Sequence, residues 1–285
     1  MKILVTGCNG QLGNEMRLAL DGRQAETFFC DIDTLDLTKP FELEQFVEKN
    51  QITHIVNCAA YTSVDKAEDD RLSAANVNIN AVHNIAMSAL RHNIRVIHIS
   101  TDYVFEGNAC VPYEENMPAV PRTVYGKTKF AGEQTLISEC PNSIILRTAW
   151  LYSSFGNNFV KTMLKYGRER NEISVVYDQI GSPTYAADLA AVIICILFER
   201  EWKPGIYHFT NSGVCSWFDF AKAILNIAGI DCRVNPILSS EYKYRTPRPS
   251  YSVLNTKKIR REFNVEIPYW LDSLQRCMKL LNLDK

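Results

Sequence analysis

Tyr125 and Lys129 stand four residues apart in Val124-Tyr-Gly-Lys-Thr-Lys129, and Thr101 precedes them in Ser100-Thr-Asp-Tyr-Val-Phe105. The region 123–138 has helical character, and a spacing of four puts both side chains on one helix face. A phenol titrates near pKa ~10, and an ammonium held beside it favours the phenolate and draws that value down. Thr101 follows the β-branched run 95–99, which reads as a buried strand. A hydroxyl at the mouth of such a strand can hold a substrate carbonyl oxygen beside the acid. The chemistry implied is proton transfer to that oxygen, with Tyr125 as acid, Lys129 as its tuner and Thr101 as the oxygen's partner. Alone, Tyr-x-x-x-Lys also fits a solvated helix face with an incidental lysine, so the elements around it must decide.

Those elements begin at the first residues. Residues 2–5 read as a strand, Gly7-Cys-Asn-Gly10-Gln-Leu-Gly13 follows at once, and 14–20 continues with helical spacing. Strand, glycine turn and helix in that order is the setting of a dinucleotide fingerprint. Gly7 permits the tight turn, Gly10 lets backbone approach a pyrophosphate, and Gly13 lets helix pack on strand. The helix N-terminus then faces the phosphates. Residues 26–31 read as a second strand. Asp31 falls where an acidic residue meets the adenosine ribose, with Asp33 as a close competitor, and Asp36-Leu37 could touch the adenine end. A third strand at 53–58 runs into Asn57-Cys-Ala-Ala-Tyr-Thr62, whose small residues let a cofactor lie against backbone. A long helical region at 64–93, broken near 69–71, precedes the fourth strand, and a fifth lies at 142–147.

The fold class expected is α/β: a Rossmann-type doubly wound parallel sheet with a smaller C-terminal substrate-binding lobe. The first unit is expected over 1–150 plus 172–209, the second over 151–171 and 210–285, with a cleft between them. At 285 residues the chain can bury a large core. A formal net charge of −1 speaks against a nucleic-acid surface. No apolar run approaches the ~18 residues a membrane span requires, so a cytoplasmic protein is expected. The nine cysteines form no Cys-x-x-Cys pair and the five histidines do not cluster, so no metal ligand is assigned. Cys8 lies inside the glycine turn, where a catalytic thiol is the alternative to a packing role; most of the thiols read as small buried hydrophobes.

Taken together, the glycine turn, Asn57-Cys-Ala-Ala-Tyr61, the strand-end hydroxyl and the Tyr125–Lys129 pair resemble the extended short-chain dehydrogenase/reductases. Further stretches sharpen the likeness: Ala60-Tyr-Thr-Ser-Val-Asp-Lys-Ala-Glu68, Arg147-Thr-Ala-Trp-Leu-Tyr152, Gly156-Asn-Asn-Phe-Val-Lys-Thr-Met-Leu164, Asp178-Gln-Ile-Gly-Ser-Pro-Thr184, Arg248-Pro-Ser-Tyr-Ser252 and Leu254-Asn-Thr-Lys257. With these the chain resembles the dTDP-4-dehydrorhamnose reductase family over nearly its whole length. The resemblance implies reduction of the 4-keto group of a dTDP-sugar in the last step of dTDP-rhamnose biosynthesis. It implies NADPH as cofactor, while Asp31 at the strand end suits a free 2′-hydroxyl, so NADH is expected to work as well.

Carried over by position, Gln11, Leu12 and Gly13 would hold the pyrophosphate, Asp31, Asp36 and Leu37 the adenosine, and Ala60, Tyr61 and Thr62 the far side of the cofactor. Tyr125 and Lys129 would be catalytic and would also touch the cofactor. Thr101 and Asp102 would contact the sugar and Trp150 would line its pocket. Arg248 would take the sugar nucleotide's pyrophosphate by forked hydrogen bonds, or else belong to a solvated basic loop. The partner is thus a small molecule, with no nucleic acid and no membrane. Some members of that family are dimers bridged by a metal that glutamates hold; Mg2+ and a homodimer remain open here, with no ligand assigned.

Two other readings share the fold. A non-catalytic regulatory subunit would keep the cofactor site and serve a partner enzyme. Another nucleotide-sugar reductase, epimerase or dehydratase would keep the Tyr–Lys pair. The dehydratases carry Asp then Glu after the strand-end Thr, where this chain has Asp102-Tyr103. A neutral phenol is a poor carbon base near pH 7.

Overall fold

Along the first strand, Ile3 and Val5 point into one hydrophobic layer while Leu4 points into another. That alternation is the pleat of a strand covered on both faces. The computed structural model describes residues 1–243 and 245–283. Six parallel strands form the central sheet in the order β10-β5-β4-β3-β1-β2. They are β1 (Lys2–Thr6), β2 (Glu26–Cys30), β3 (His54–Asn57), β4 (Arg95–Thr101), β5 (Ile144–Thr148) and, after three short strands and β7, β10 (Gly205–His208).

Helices α1 (Gln11–Leu20), α2 (Pro40–Asn50), α3 (Val64–Asp69), α4 (Arg71–Ala75), α5 (Ala81–His92) and α6 (Val124–Glu139) occupy the first half. On the Ile3 face, α1 packs with α8 (Ala186–Phe198) and α10 (Lys257–Phe263). On the Leu4 face lie α2, α5 and α6. The helical region 64–93 is broken at Asp70, as expected, and holds one feature the pattern did not reveal, a π-helical turn at Asn76–Asn80.

The second lobe contains α7 (Phe159–Glu169), β7 (Glu172–Val176), α9 (Trp217–Ala228), β12 (Arg233–Ile237) and α11 (Trp270–Leu283) around one aromatic-rich core. Short strands β6 (Leu151–Tyr152), β8 (Ile180–Gly181), β9 (Thr184–Tyr185) and β11 (Cys215–Ser216) pair β6 with β9 and β8 with β11. Asn158 caps α7 through Lys161 N, which starts that helix at 159 and leaves 156–158 as loop. A Ser216–Asp219 capping box starts α9.

The lobe boundary differs from expectation. Of the stretch 172–209, α8 and β10 join the Rossmann sheet, whereas β7 pairs with β12. The partner strand Arg233-Val-Asn-Pro-Ile237 has no clean alternation and carries a proline, tolerable there because a two-stranded sheet is all edge. Conversely α10, expected with the second lobe, buries Ile259 and Phe263 in the core of the Rossmann layer.

Helix α6 is anchored to β5 by a buried ion pair. Arg147 Nε donates to Glu133 Oε1 at 2.9 Å and its Nη2 to Oε2 at 2.6 Å. Their side chains are 3% and 0% exposed. Removing one partner strands a charge in the core, which costs about 3–5 kcal/mol. Glu133→Gln should therefore lower the urea midpoint accordingly at unchanged slope. A loss below about 1 kcal/mol would show that α6 is held by its apolar face instead.

Candidate active site

The C-terminal ends of β1, β3 and β4 open into a cavity of about 750 Å3. Its floor is the glycine turn. Gly7 has φ +64°, and a Cβ there would stand 2.7 Å from Ala59 backbone. A Cβ on Gly13 would stand 2.3 Å from Gly7 O, so helix α1 closes on β1 only with glycine at 13. The N-cap of α1 is Gly10, with no side chain satisfying the first turn. Its N–H groups are left for an anion, which is the chemistry of a pyrophosphate site. Gln11 and Leu12 line the same wall. Gln11 Nε2 donates to Leu151 O at 3.4 Å and its Oε1 accepts from Asn158 Nδ2 at 3.0 Å, tying the turn to the second lobe.

Asp31, at the end of β2, lines this cavity; Asp33 is not among its lining residues. Asp31 Oδ2 accepts from Asn9 N in the glycine turn at 2.9 Å. Asp36 and Leu37 lie on the same side. Thr38 donates to Asp36 Oδ1 through both N and Oγ1, and the side-chain bond is the main reason its carboxyl titrates lower than usual. Ala60, Tyr61 and Thr62 form the opposite wall.

Asn78, in the π-helical turn, holds that wall. Its Oδ1 accepts from Tyr61 N at 2.9 Å, and its Nδ2 donates to Tyr61 O and to Thr128 Oγ1. The extra residue of a π-turn re-aims one side chain, a device frequent at functional sites. Nothing in the periodicity of 64–93 marked Asn78; a buried asparagine two turns from a helix break was the available signal.

Thr101, Tyr125 and Lys129 meet at the inner end of the cavity. Thr123 caps α6 by accepting from Gly126 N at 3.0 Å, which sets Tyr125 and Lys129 in the first two turns facing the strand ends. Burial pushes the Tyr125 phenol up to about 12, opposed by the Thr101 hydroxyl beside it and reinforced by Asp102. This corrects the expectation that Lys129 lowers the phenol. Lys129 Nζ instead donates to Ile99 O at 2.7 Å and lies 3.3 Å from His98 Nε2. Burial brings the lysine itself down to about 8, opposed by Glu133 and Cys58. Desolvation is the largest influence on both groups.

A second cavity, about 620 Å3, adjoins the first through Asp102, Tyr103 and Trp150. Asp102 is buried. Its Oδ1 accepts from Thr101 Oγ1 at 3.0 Å, and burial raises its carboxyl to about 7. Trp150 adopts φ +50° and stacks on Trp217 with ring centroids 3.6 Å apart. A left-handed tryptophan is strained and persists only where its surroundings hold it. Gly181 provides the room, since a Cβ there would lie 2.4 Å from the indole. Arg248 lines this cavity with its side chain 20% exposed, and Nη2 pairs with Asp65 Oδ2 at 2.7 Å. It belongs to the site rather than to a solvated loop. Its guanidinium also hydrogen-bonds the Tyr103 phenol, which packs edge-on against Tyr125 at 5.4 Å. Tyr103, the residue that sets this chain apart from the dehydratase pattern, thus lines both cavities.

Two cavities that meet at Asp102, Tyr103 and Trp150, with Thr101, Tyr125 and Lys129 lining the first of them, can hold a dinucleotide and a second ligand with their reacting ends together. The family model described as the RmlD substrate binding domain matches residues 1–283. The chain belongs to that family. It is 40% identical to a dTDP-4-dehydrorhamnose reductase of Aggregatibacter actinomycetemcomitans over 98% of this chain and 97% of that protein. The crystal structure of a dTDP-4-dehydrorhamnose reductase from Clostridium acetobutylicum superposes with a TM-score of 0.95 at 39% identity, covering 99% of this chain and 100% of that one. Another from Bacillus anthracis, in complex with NADP, gives 0.94 at 38% identity, covering 98% and 99%. Among the described residues no cluster of three His, Cys, Asp or Glu could hold a metal ion, and no helix is long and apolar enough to cross a membrane.

A methyl group at Gly13 meets backbone, which cannot swing aside. Gly13→Ala should weaken NADPH binding at least tenfold, about 1.4 kcal/mol, by titration calorimetry on folded protein. Binding within twofold of the parent would mean that the dinucleotide does not use this turn.

Proposed function

We propose that this chain reduces the 4-keto group of dTDP-4-dehydro-L-rhamnose to give dTDP-L-rhamnose in the cytoplasm, with NADPH as cofactor and Tyr125 as the proton donor. The observation that carries the reading is the corner of the first cavity lined by Thr101, Tyr125 and Lys129, beside Asp102, Tyr103 and Trp150, which line both cavities. The glycine turn, with its uncapped helix end and the space only glycine leaves, fits the pyrophosphate of a dinucleotide. NADPH bound there supplies the hydride that adds to the keto carbon.

The Thr101 hydroxyl holds the carbonyl oxygen, and as that oxygen gains negative charge Tyr125 gives it a proton. A phenol near 12 is fully protonated at any working pH, so the donor is always loaded. Lys129 follows on the same helix face as the group that can restore the phenol's proton. In the second cavity Trp150 and Asp102 flank the sugar, and Arg248 meets the diphosphate, exchanging its bond to Asp65 for phosphate oxygens. The two cavities correspond to the division of labour proposed for the lobes: cofactor on the Rossmann sheet, sugar nucleotide against α7 and α9.

The intact corner favours an enzyme over a regulatory subunit. Tyr103 favours reduction over dehydration, because burial raises its phenol further and leaves no carboxylate beside Asp102 to remove a carbon-bound proton.

Reduced cofactor followed spectroscopically against a panel of nucleotide 4-keto sugars should be consumed one-for-one with the dTDP-keto sugar. Conversion of dTDP-glucose to its 4-keto-6-deoxy product without added cofactor would overturn the assignment. Tyr125→Phe should lower single-turnover reduction by 10²–10⁴-fold; an unchanged rate would remove Tyr125 as donor. Because Asp31 suits a free 2′-hydroxyl, NADH should also serve, with the two KM values within about a hundredfold, ~2.7 kcal/mol. A larger preference for NADPH would place the adenosine ribose away from Asp31.

A further inference from the structure

Four buried polar side chains form a chain across three neighbouring strands to the catalytic helix. Thr6 Oγ1 donates to Asn57 Oδ1 at 2.7 Å. Asn57 Nδ2 lies 2.9 Å from His98 Nδ1, and His98 Nε2 lies 3.3 Å from Lys129 Nζ. His98 is 0% exposed, on β4 three residues before Thr101. Neither the fingerprint nor the proposed chemistry makes use of it.

The polarity of this chain follows from one fixed donor. The backbone N–H of Ala59 points at Asn57 Oδ1 at 3.2 Å. A backbone N–H can only donate, so the atom facing it is the amide oxygen and the one facing His98 is the NH2 group. That group can only donate, so His98 Nδ1 is an acceptor and carries no proton. Burial, with Lys129 nearby, keeps the ring neutral. A neutral imidazole without a proton on Nδ1 has it on Nε2, pointing at Lys129 Nζ.

An ammonium has three donors and no lone pair; an amine has one lone pair to receive the ring N–H while still donating to Ile99 O. We propose that His98, locked as the Nε2–H tautomer by Ala59 and Asn57, is a positioning residue that opposes the ammonium form of Lys129 and so makes Lys129 a ready proton source for Tyr125. After Tyr125 has protonated the substrate oxygen, Lys129 passes one proton to the phenolate and becomes the amine that accepts the His98 N–H; solvent then restores the ammonium. No bond other than these N–H and O–H bonds changes. The remaining groups that act on Lys129 are Glu133 on α6, paired with Arg147 of β5, and the Cys58 thiol after β3; Tyr125 precedes it by one turn on α6. Burial pushes the Cys58 thiol up to about 12, so it is neutral.

The inference rests on the reductase role of Lys129, but its first test needs no turnover. In 15N-histidine-labelled protein without substrate, the His98 ring, assigned through its backbone, should show the proton on Nε2. A proton on Nδ1 overturns the proposal, whatever the activity. Asn57→Asp replaces the NH2 donor with an acceptor, so the ring should shift to Nδ1–H and present a lone pair to Lys129. The ammonium is then favoured. Because repeated turnover needs that ammonium to reload Tyr125, the steady-state rate falls as pH rises through the lysine's value, and in the variant this alkaline limb should move up by about one pH unit or more. An unmoved limb in a variant whose ring has gone to Nδ1–H also overturns the proposal. If the variant does not fold, the spectrum of the parent protein decides.

Discussion

A lysine nitrogen buried behind the end of a parallel sheet is the constraint on which the rest of this site depends. Lys129 is 2% exposed, and so deep a cation must find fixed partners or give up its charge. The chain does some of both. Ile99 O takes one hydrogen, and burial weakens the hold on the last proton. Three other buried groups of the corner are driven the same way, the Tyr125 phenol and the Asp102 carboxyl raised and the His98 ring lowered, while Glu133 keeps its ion pair with Arg147. The corner is a region where neutral forms win. In such surroundings a small displacement of charge at a carbonyl is felt strongly by its neighbours.

The scaffold serves that corner through rigid elements. Thr101 ends β4, Tyr125 and Lys129 sit on a capped helix, and Arg147–Glu133 locks that helix to β5. The walls are set by less regular means: a π-turn that aims Asn78 at the Tyr61 backbone, a strained Trp150, and glycines at 7, 13 and 181 where any side chain would strike a neighbour. Gln11 and Asn158 join the glycine turn to the start of α7, so the two lobes meet through a residue that lines the first cavity. Two ion pairs, Arg248–Asp65 and Arg245–Asp69, fasten the loop near 245–249 onto α3. The Arg248 guanidinium that lines the second cavity is therefore held beside a carboxylate.

The sequence by itself determined the nucleotide half. A strand, a Gly-x-x-Gly-x-x-Gly turn and a helix impose their own geometry, because the glycines answer clashes between residues close along the chain. Strand–helix alternation then dictates a doubly wound sheet, and the i, i+4 spacing of Tyr125 and Lys129 survives any packing of their helix. What only the tertiary structure decided lies where partners are distant along the chain. The pairing of β7 with Arg233–Ile237 was hidden because a short edge strand with a proline has no period to read. The direction of the shifts at Tyr125 and Lys129 could not be taken from spacing, since it depends on how much water the fold removes around them. Nor could the link from Ala59 through Asn57 and His98 to Lys129, which joins residues up to 70 apart because three parallel strands align their ends in register.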